Sequence, residues 1–356
     1  MKIAARRFIR QFVSISKLLF VGFYISAPLM SKAQVWEISN GKWKLNTNAV
    51  LNPPVPSGAD LPDDAPPNQV EDFRDFKKVA TDKKSSDEKV FRAASIYLAK
   101  WCWEEDNGFE PVTRVLGTNR PPYLMKWIRG SRFVDLAWNA RGGYYASEVV
   151  PSQWPIFEEY LRKAATELEA AWEVNPKQPL IAEEMMTVEL GQGKGRDQLE
   201  LWFQRAMQLD TNNVNACCQK LLYLEPKWYG SPKDEIAFGR ECVASTNWGG
   251  KVPLMLVQAH RALTEYLPKE KRDAYWQLPS VWDDVQSAYN KYFKANPKDL
   301  IEHKNYAVLA YTGLHWDVLN EQIAVLGPDN YSLFGDEDKI FDIVGAAERH
   351  ATKSNK

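Results

Sequence analysis

From residue 152 onward, apolar positions recur at helical spacing, three or four residues apart. Leu199, Trp202, Phe203, Ala206, Met207 and Leu209 form one such stripe, which stops at Asp210-Thr-Asn-Asn213. A second stripe runs to Leu224, and Glu225-Pro-Lys-Trp-Tyr-Gly-Ser231 closes the unit. The same rhythm predicts helices over 152–174, 179–190, 197–209, 214–224, 231–245, 252–267, 281–295, 300–312 and 315–325, and a last one near 339–347. Ser231-Pro232 supplies an N-cap followed by proline at the first helical position, where a missing N–H costs nothing.

The stripes repeat. Leu168-x-x-Ala171-x-x-x-Asn175-Pro176 matches Phe203-x-x-Ala206-x-x-x-Asp210-Thr211, offset by 35 residues, and Tyr289-x-x-Tyr292-x-x-x-Asn296-Pro297 is a looser third copy. A tetratricopeptide hairpin repeats at roughly 34 residues. In this pattern the small residue lets two helices approach and the Asn or Asp step ends the second helix. The first-helix half of the consensus is poor throughout. The reading is an all-α fold, a tetratricopeptide-like α-α superhelix built as a solenoid of helical hairpins.

The pattern is less regular from 87 to 150. A helix starts at Ser86 or Asp87, with Phe91, Ala94, Ile96, Tyr97, Leu98 and Trp101 on a broad apolar face, and Asn107-Gly108 ends it. Two short apolar helices are expected near 124–128 and 133–138. Residues 34–86 read as an extended, partly disordered lead rich in proline and acidic groups, with Trp36 and Trp43 placed to form a small hairpin. The organisation is therefore 1–33, 34–86, a helical repeat domain over 87–330 that becomes regular from 151, and a C-terminal helix with a polar tail over 331–356.

The first 33 residues read as a signal peptide. Lys2, Arg6, Arg7 and Arg10 are its basic region, Leu18 to Ser26 its apolar region, and Ser31-Lys32-Ala33 a cleavage site. Cleavage after Ala33 makes the chain exported, periplasmic or secreted. The alternative is an N-terminal membrane anchor, although Lys17 interrupts the apolar run. After removal no integral span is expected. Cleavage also removes six cations and no acid, leaving 39 basic and 46 acidic residues and a formal charge of −7. That balance excludes a broad electrostatic nucleic-acid binder.

The 14 Trp point first to thick packing between helices and, in a sharper reading, to aromatic platforms for sugars. Cys102, Cys217, Cys218 and Cys242 fit no zinc spacing. Buried free thiols are the simpler reading, and a bond from Cys242 to one of the adjacent pair is the alternative. Gly191-Gln-Gly-Lys-Gly195 lacks the phosphate-loop frame and reads as a linker. No His-Glu-x-x-His pattern exists, and His260 on an apolar helix reads as a core histidine. Neither a metal nor a cofactor is expected.

Glu104-Glu105-Asp106, Glu158-Glu159, Glu183-Glu184 and Glu225 are possible acid/base groups, but neighbouring acids on helices usually face water. The loop carrying Glu225, Lys227, Trp228 and Tyr229 is the best binding candidate, because a loop that spends Trp and Tyr either buries or presents them. The alternative is that Trp228 plugs the joint between hairpins. Arg141, Tyr144 and Tyr145, around Gly142-Gly143, form a similar candidate, since arginine stacks on rings and grips carboxylates.

Residues 87–327 resemble a family of bacterial proteins of unknown function built on tetratricopeptide-like helices. The likeness is carried by Ala137-Trp-Asn-Ala-Arg141-Gly142, Trp202-Phe-Gln-Arg-Ala-Met207, Tyr223-Leu-Glu-Pro-Lys-Trp-Tyr-Gly-Ser231, Phe238-Gly-Arg-Glu-Cys242 and Trp248-Gly-Gly-Lys-Val-Pro253 with Ala259-His260. The resemblance implies a helical-repeat fold and supplies no catalytic residues. The expected function is non-catalytic: capture of a protein or peptide partner in the cell envelope, on a groove of helix faces. The alternative is a helical-toroid carbohydrate-active enzyme or sugar binder using aromatic residues and carboxylates.

Overall fold

The computed structural model describes residues 36–39, 42–45, 61, 65–101, 109–143 and 145–354. The expected signal peptide and cleavage site, most of the expected lead, Cys102, Glu104 to Asp106, Asn107-Gly108 and Tyr144 lie outside the described residues. The described fold is all-α and helical-repeat-like, apart from two four-residue strands, β1 (Trp36–Ser39) and β2 (Lys42–Leu45). They pair antiparallel, with Trp36 opposite Leu45 and Ile38 opposite Trp43. The chain divides into two compact units, one ending at Lys177 and one starting at Gln178, where the sequence suggested a single repeat domain over 87–330.

The first unit holds α1 (Pro67–Thr81), α2 (Asp87–Trp101), α3 (Phe109–Asn119), α4 (Pro122–Arg141) and α5 (Trp154–Val174). Helix α1 shortens the expected extended lead. Phe73, Phe76 and Ala80 recur at helical spacing and are buried, and the rings of Phe73 and Phe76 pack on Tyr97 of α2. Arg120 fixes the end of α1: its guanidinium donates to the carbonyls of Ala80 and Ser85 at 2.8 Å each and of Asp82 at 2.6 Å. The carbonyls that a helix end leaves open thus find a charged donor. Ser86 caps α2 by accepting from Lys89 N at 3.3 Å. Asp87 is left to take the Tyr123 hydroxyl, and the Tyr123 phenol is pushed up to about 12 by burial and by that carboxylate. Ile96, expected on the apolar face, is 60% exposed, and the buried face of α2 is Val90, Ala94, Tyr97 and Leu98.

The two short helices expected near 124–138 are one continuous helix, α4. Gly130 does not break it. A Cβ there would lie 2.6 Å from Leu168 Cγ, so its missing side chain admits α5 at close range. Phe91 stacks on the buried Trp127 at 3.9 Å.

The second unit contains α6 (Pro179–Gln192), α7 (Arg196–Leu209), α8 (Val214–Tyr223), α9 (Pro232–Ala244), α10 (Met255–Glu265), α11 (Arg272–Tyr275), α12 (Pro279–Ala295), α13 (Leu300–Thr312), α14 (Trp316–Leu326) and α15 (Glu337–Ser354). Helix α6 packs on α7 and α8, α8 on α10, α10 on α12, and α13 on α14 and α15. Each of these helices thus meets the next helix or the next but one.

Two inter-helix turns share one plan. Asp210 and Asn296 each close their helix by an N–H bond to the carbonyl four residues back, Ala206 and Tyr292, at 3.0 Å. Three residues later Asn213 and Asp299 cap the next helix, accepting from Ala216 N at 2.9 Å and Ile301 N at 3.1 Å. Each cap is worth about 1 kcal/mol. In the first unit Asn175 ends α5 the same way, on Ala171 at 2.9 Å. The aligned bulky residues Leu168, Phe203 and Tyr289 are all buried.

The packing reading of the tryptophans is met at four of the described positions. Trp127, Trp202, Trp276 and Trp282 are buried. His315 stacks on Trp282 at 3.7 Å, His303 on Phe293 at 3.9 Å and His350 on Trp316 at 3.9 Å. Cys217, Cys218 and Cys242 are free thiols, and the hydrogen bond with Cys242, followed by burial, pushes the Cys217 thiol up.

Candidate functional site

The segment from Leu224 to Ser231 is a tight joint between α8 and α9. Trp228 N–H donates to Glu225 O at 2.9 Å and Tyr229 N–H to Tyr223 O at 3.1 Å. Gly230 is dictated by space, because a Cβ there would lie 2.2 Å from Leu224 O. The Tyr229 ring lies 4.7 Å from Tyr223, and its hydroxyl donates to Leu190 O at 3.2 Å, at the end of α6. Gly193, with φ +61°, leaves room for that hydroxyl. Ser231 then caps α9, accepting from Asp234 N at 3.3 Å.

This joint draws together part of the predicted site. Glu225 is buried, and its Oε2 takes Lys227 Nζ at 2.6 Å and the Tyr266 hydroxyl at 2.9 Å. Trp228 is half-buried, its ring 6.4 Å from that of Tyr229. Tyr229 and Tyr266 are each 47% exposed. Arg141 and Tyr145 belong to the first unit. Arg141 is buried, with its guanidinium 5.6 Å from both the Trp138 and Trp154 rings, so it braces indoles rather than facing solvent. Tyr145 is 62% exposed.

The sequence reading missed Glu235. It stands on the first turn of α9 and is fully buried, and neither carboxyl oxygen has a hydrogen-bond partner among the described residues. Burial pushes its carboxyl up to about 8; the Glu225 charge adds to this and Lys227 opposes it. A helix N-terminus favours the carboxylate, so here desolvation outweighs the helix dipole. A signal was present, since Glu235, Phe238, Gly239 and Cys242 are the buried face of α9. An acid on that stripe is out of place among surface acids.

Beside it lies a second polar group. His260 is buried, with Nδ1 2.8 Å from the Tyr275 hydroxyl and Nε2 3.1 Å from Asp284. Arg240 donates through Nε and Nη2 to Asp284 at 2.9–3.2 Å. Burial holds the His260 imidazole below its ordinary range, against the pull of Asp284. The neutral ring then donates from Nε2 to Asp284 and accepts the Tyr275 proton at Nδ1. His260 is thus a satisfied core histidine, as its apolar helix implied. The Tyr275 phenol is pushed up to about 12 by burial, with Asp284 and Glu235 adding to it.

Two of the other predicted acids have partners of their own. Glu159 pairs with Arg162 on an exposed helix face at 2.7 Å. Glu183 accepts from Asn213 at 2.7 Å, and burial raises its carboxyl to about 7. Among the described residues no cluster of three or more His, Cys, Asp or Glu is placed to hold a metal ion, and no helix is long and apolar enough to cross a membrane.

Comparison with protein-family models, with curated proteins and with solved structures finds no match to this chain.

Proposed function

We propose that this chain is an exported, non-catalytic helical-repeat protein, a divergent tetratricopeptide-like superhelix that holds a protein or peptide partner in the cell envelope. The observation that carries the reading is the α8–α9 joint. It keeps Tyr229 and Tyr266 each 47% exposed on backbone pinned by several hydrogen bonds, beside the Lys227–Glu225 pair. Rigid aromatic anchors next to charge bind at low entropic cost. The leading segment and the acidic formal charge expected after its removal support export and argue against nucleic acid as the partner. The test is a photo-crosslinking side chain at position 229 of the full chain, expressed in its native cell. A discrete adduct is expected; absence of any adduct at 229 and also at 266 contradicts the reading.

A second reading, a carbohydrate-active protein, is favoured by one observation. Burial pushes the Glu235 carboxyl up to about 8, with the Glu225 charge adding to it, while Glu225 keeps a cation at 2.6 Å. A carboxyl raised toward neutral pH suits a general acid. Both are buried, which weighs against turnover in this conformation. Polysaccharide hydrolysis abolished by Glu235→Gln would favour it over partner binding.

A further inference from the structure

The C-terminal end of α9 opens on a hollow of about 490 Å³. Gln204 of α7, Glu241 and Ala244 of α9, and Ser245, Asn247 and Trp248 of the following loop line it. The α8–α9 joint sits at the other end of α9, a helix of 13 residues, roughly 18 Å away along its axis.

The loop is held in place by its own chain. Ser245 N–H closes α9 on Glu241 O at 2.9 Å, and the Ser245 hydroxyl oxygen accepts from Asn247 N at 3.3 Å and Trp248 N at 3.2 Å. Lys291 Nζ of α12 donates to Ser245 O at 3.1 Å. Gly249 N–H donates to Thr211 O at 3.1 Å, and a Cβ at Gly249 would lie 2.6 Å from Asn212 Oδ1, so the loop presses on the α7–α8 turn. The Trp248 ring meets the fully buried Phe203 edge to face, with centroids 5.6 Å apart. The indole is thus anchored on the core while it lines the hollow half-buried. A frame pinned in this way loses little freedom when a ligand binds.

The walls select by their chemistry. Ala244 and Trp248 are the apolar members of the lining, too few for an apolar ligand, whose pockets are mostly hydrophobic. No cation lines the hollow, so an anion finds no counter-charge there. Glu241 already faces the Lys220 ammonium at 3.8 Å, which a cationic ligand would also meet. A neutral ligand remains. Gln204 and Asn247 are exposed amides, each with N–H donors and a carbonyl acceptor, and a hydroxyl group both donates and accepts. The Glu241 carboxylate takes hydroxyl protons in charge-assisted bonds. The negative face of an indole attracts C–H bonds, whose hydrogens carry partial positive charge.

We propose that this hollow binds a neutral sugar ring of the gluco configuration. Its equatorial hydroxyls bond to Gln204, Asn247 and Glu241, and its flat face of axial C–H bonds rests on Trp248. The site stands without the partner reading and without acid chemistry at Glu235.

Nitrogen-15 spectra of the full chain test this, with the Trp248 indole N–H assigned by its absence in Trp248→Phe. Cellotetraose is expected to shift that signal, and sorbitol, which has the hydroxyls without the ring, to leave it in place. Gln204→Ala and Asn247→Ala should each weaken cellotetraose binding on the order of tenfold. Both residues are exposed, so the melting temperature should not change. Trp248→Ala should abolish saturation transfer to the sugar. A Trp248 signal that cellotetraose does not move overturns the site, as does an equal response to sorbitol or wild-type affinity in both amide variants. A shift produced by a tetraproline peptide and not by cellotetraose makes the hollow a peptide site and overturns the sugar assignment. Crosslinks at position 229 report separately: if they persist while cellotetraose fails, the partner reading stands alone, and if they vanish while cellotetraose binds, only the sugar site stands.

Discussion

Glu225 and Glu235 are both buried, but Glu225 holds Lys227 at 2.6 Å while neither Glu235 oxygen has a hydrogen-bond partner among the described residues. The proton on Glu235 substitutes for the missing cation. Stability therefore depends on pH with a definite sign. Between the ordinary glutamate value of 4.5 and about 8, the folded chain keeps a proton that the unfolded chain has lost, so stability falls as pH rises and levels off above about 8. His260 contributes in the opposite sense near its ordinary 6.5, because its folded form resists protonation. The comparison that isolates Glu235 is the melting temperature of Glu235→Gln against wild type across pH 5 to 9. The variant's advantage should grow with pH up to about 8. A constant difference contradicts the prediction.

Arg120 ties α1 to the first unit through three short bonds to backbone carbonyls. Arg120→Ala should cost about 3 kcal/mol, since it removes charged donors from several acceptors at once. Chemical denaturation measures the loss. Hydrogen exchange should show it concentrated in residues 67–82, and a uniform loss across the chain contradicts this local role.

Gly230→Ala places a methyl group 2.2 Å from Leu224 O, a backbone atom that cannot swing aside. The expected cost is about 1–3 kcal/mol, with distortion of the joint. Tyr229 should lose its contact with Leu190, seen as increased solvent quenching of Trp228. Unchanged stability would mean the turn is looser than these contacts imply.

Lys220 is buried with its ammonium 4.3 Å from the Phe203 ring, 4.5 Å from Phe238 and 2.8 Å from Glu200. Both the stem and the charge contribute here. Lys220→Met keeps the stem and should lose about 1–2 kcal/mol of cation–ring attraction. Lys220→Ala should lose more, because a cavity is added. Equal losses in denaturant titrations would make the charge alone responsible.

The hairpin turns were legible because their signals are local. Asn175, Asp210 and Asn296 end helices in the sequence and in the structure, and Ser231 caps α9 as its neighbour Pro232 implied. Between the two short helices that the pattern suggests lies Gly130-Ser131, and there the glycine answers to Leu168, distant in sequence, so the single helix α4 is not legible locally. Helix α1 was hidden by prolines that lie before or at its first residue, and its apolar side needs Tyr97 to be recognised. At the joint, Glu225, Lys227, Trp228 and Tyr229 were visible as an unusual loop. Glu235 and Tyr266 were not, because only folding brings α9 and the end of α10 against that loop.

The protonation of Glu235 at neutral pH, buried on the first turn of α9, is the property on which most of this depends. Carbon-13 NMR titration of the side-chain carboxyl, assigned by its absence in Glu235→Gln, reads that proton directly. A midpoint near 8 is expected. A midpoint in the ordinary glutamate range near 4.5 would contradict it.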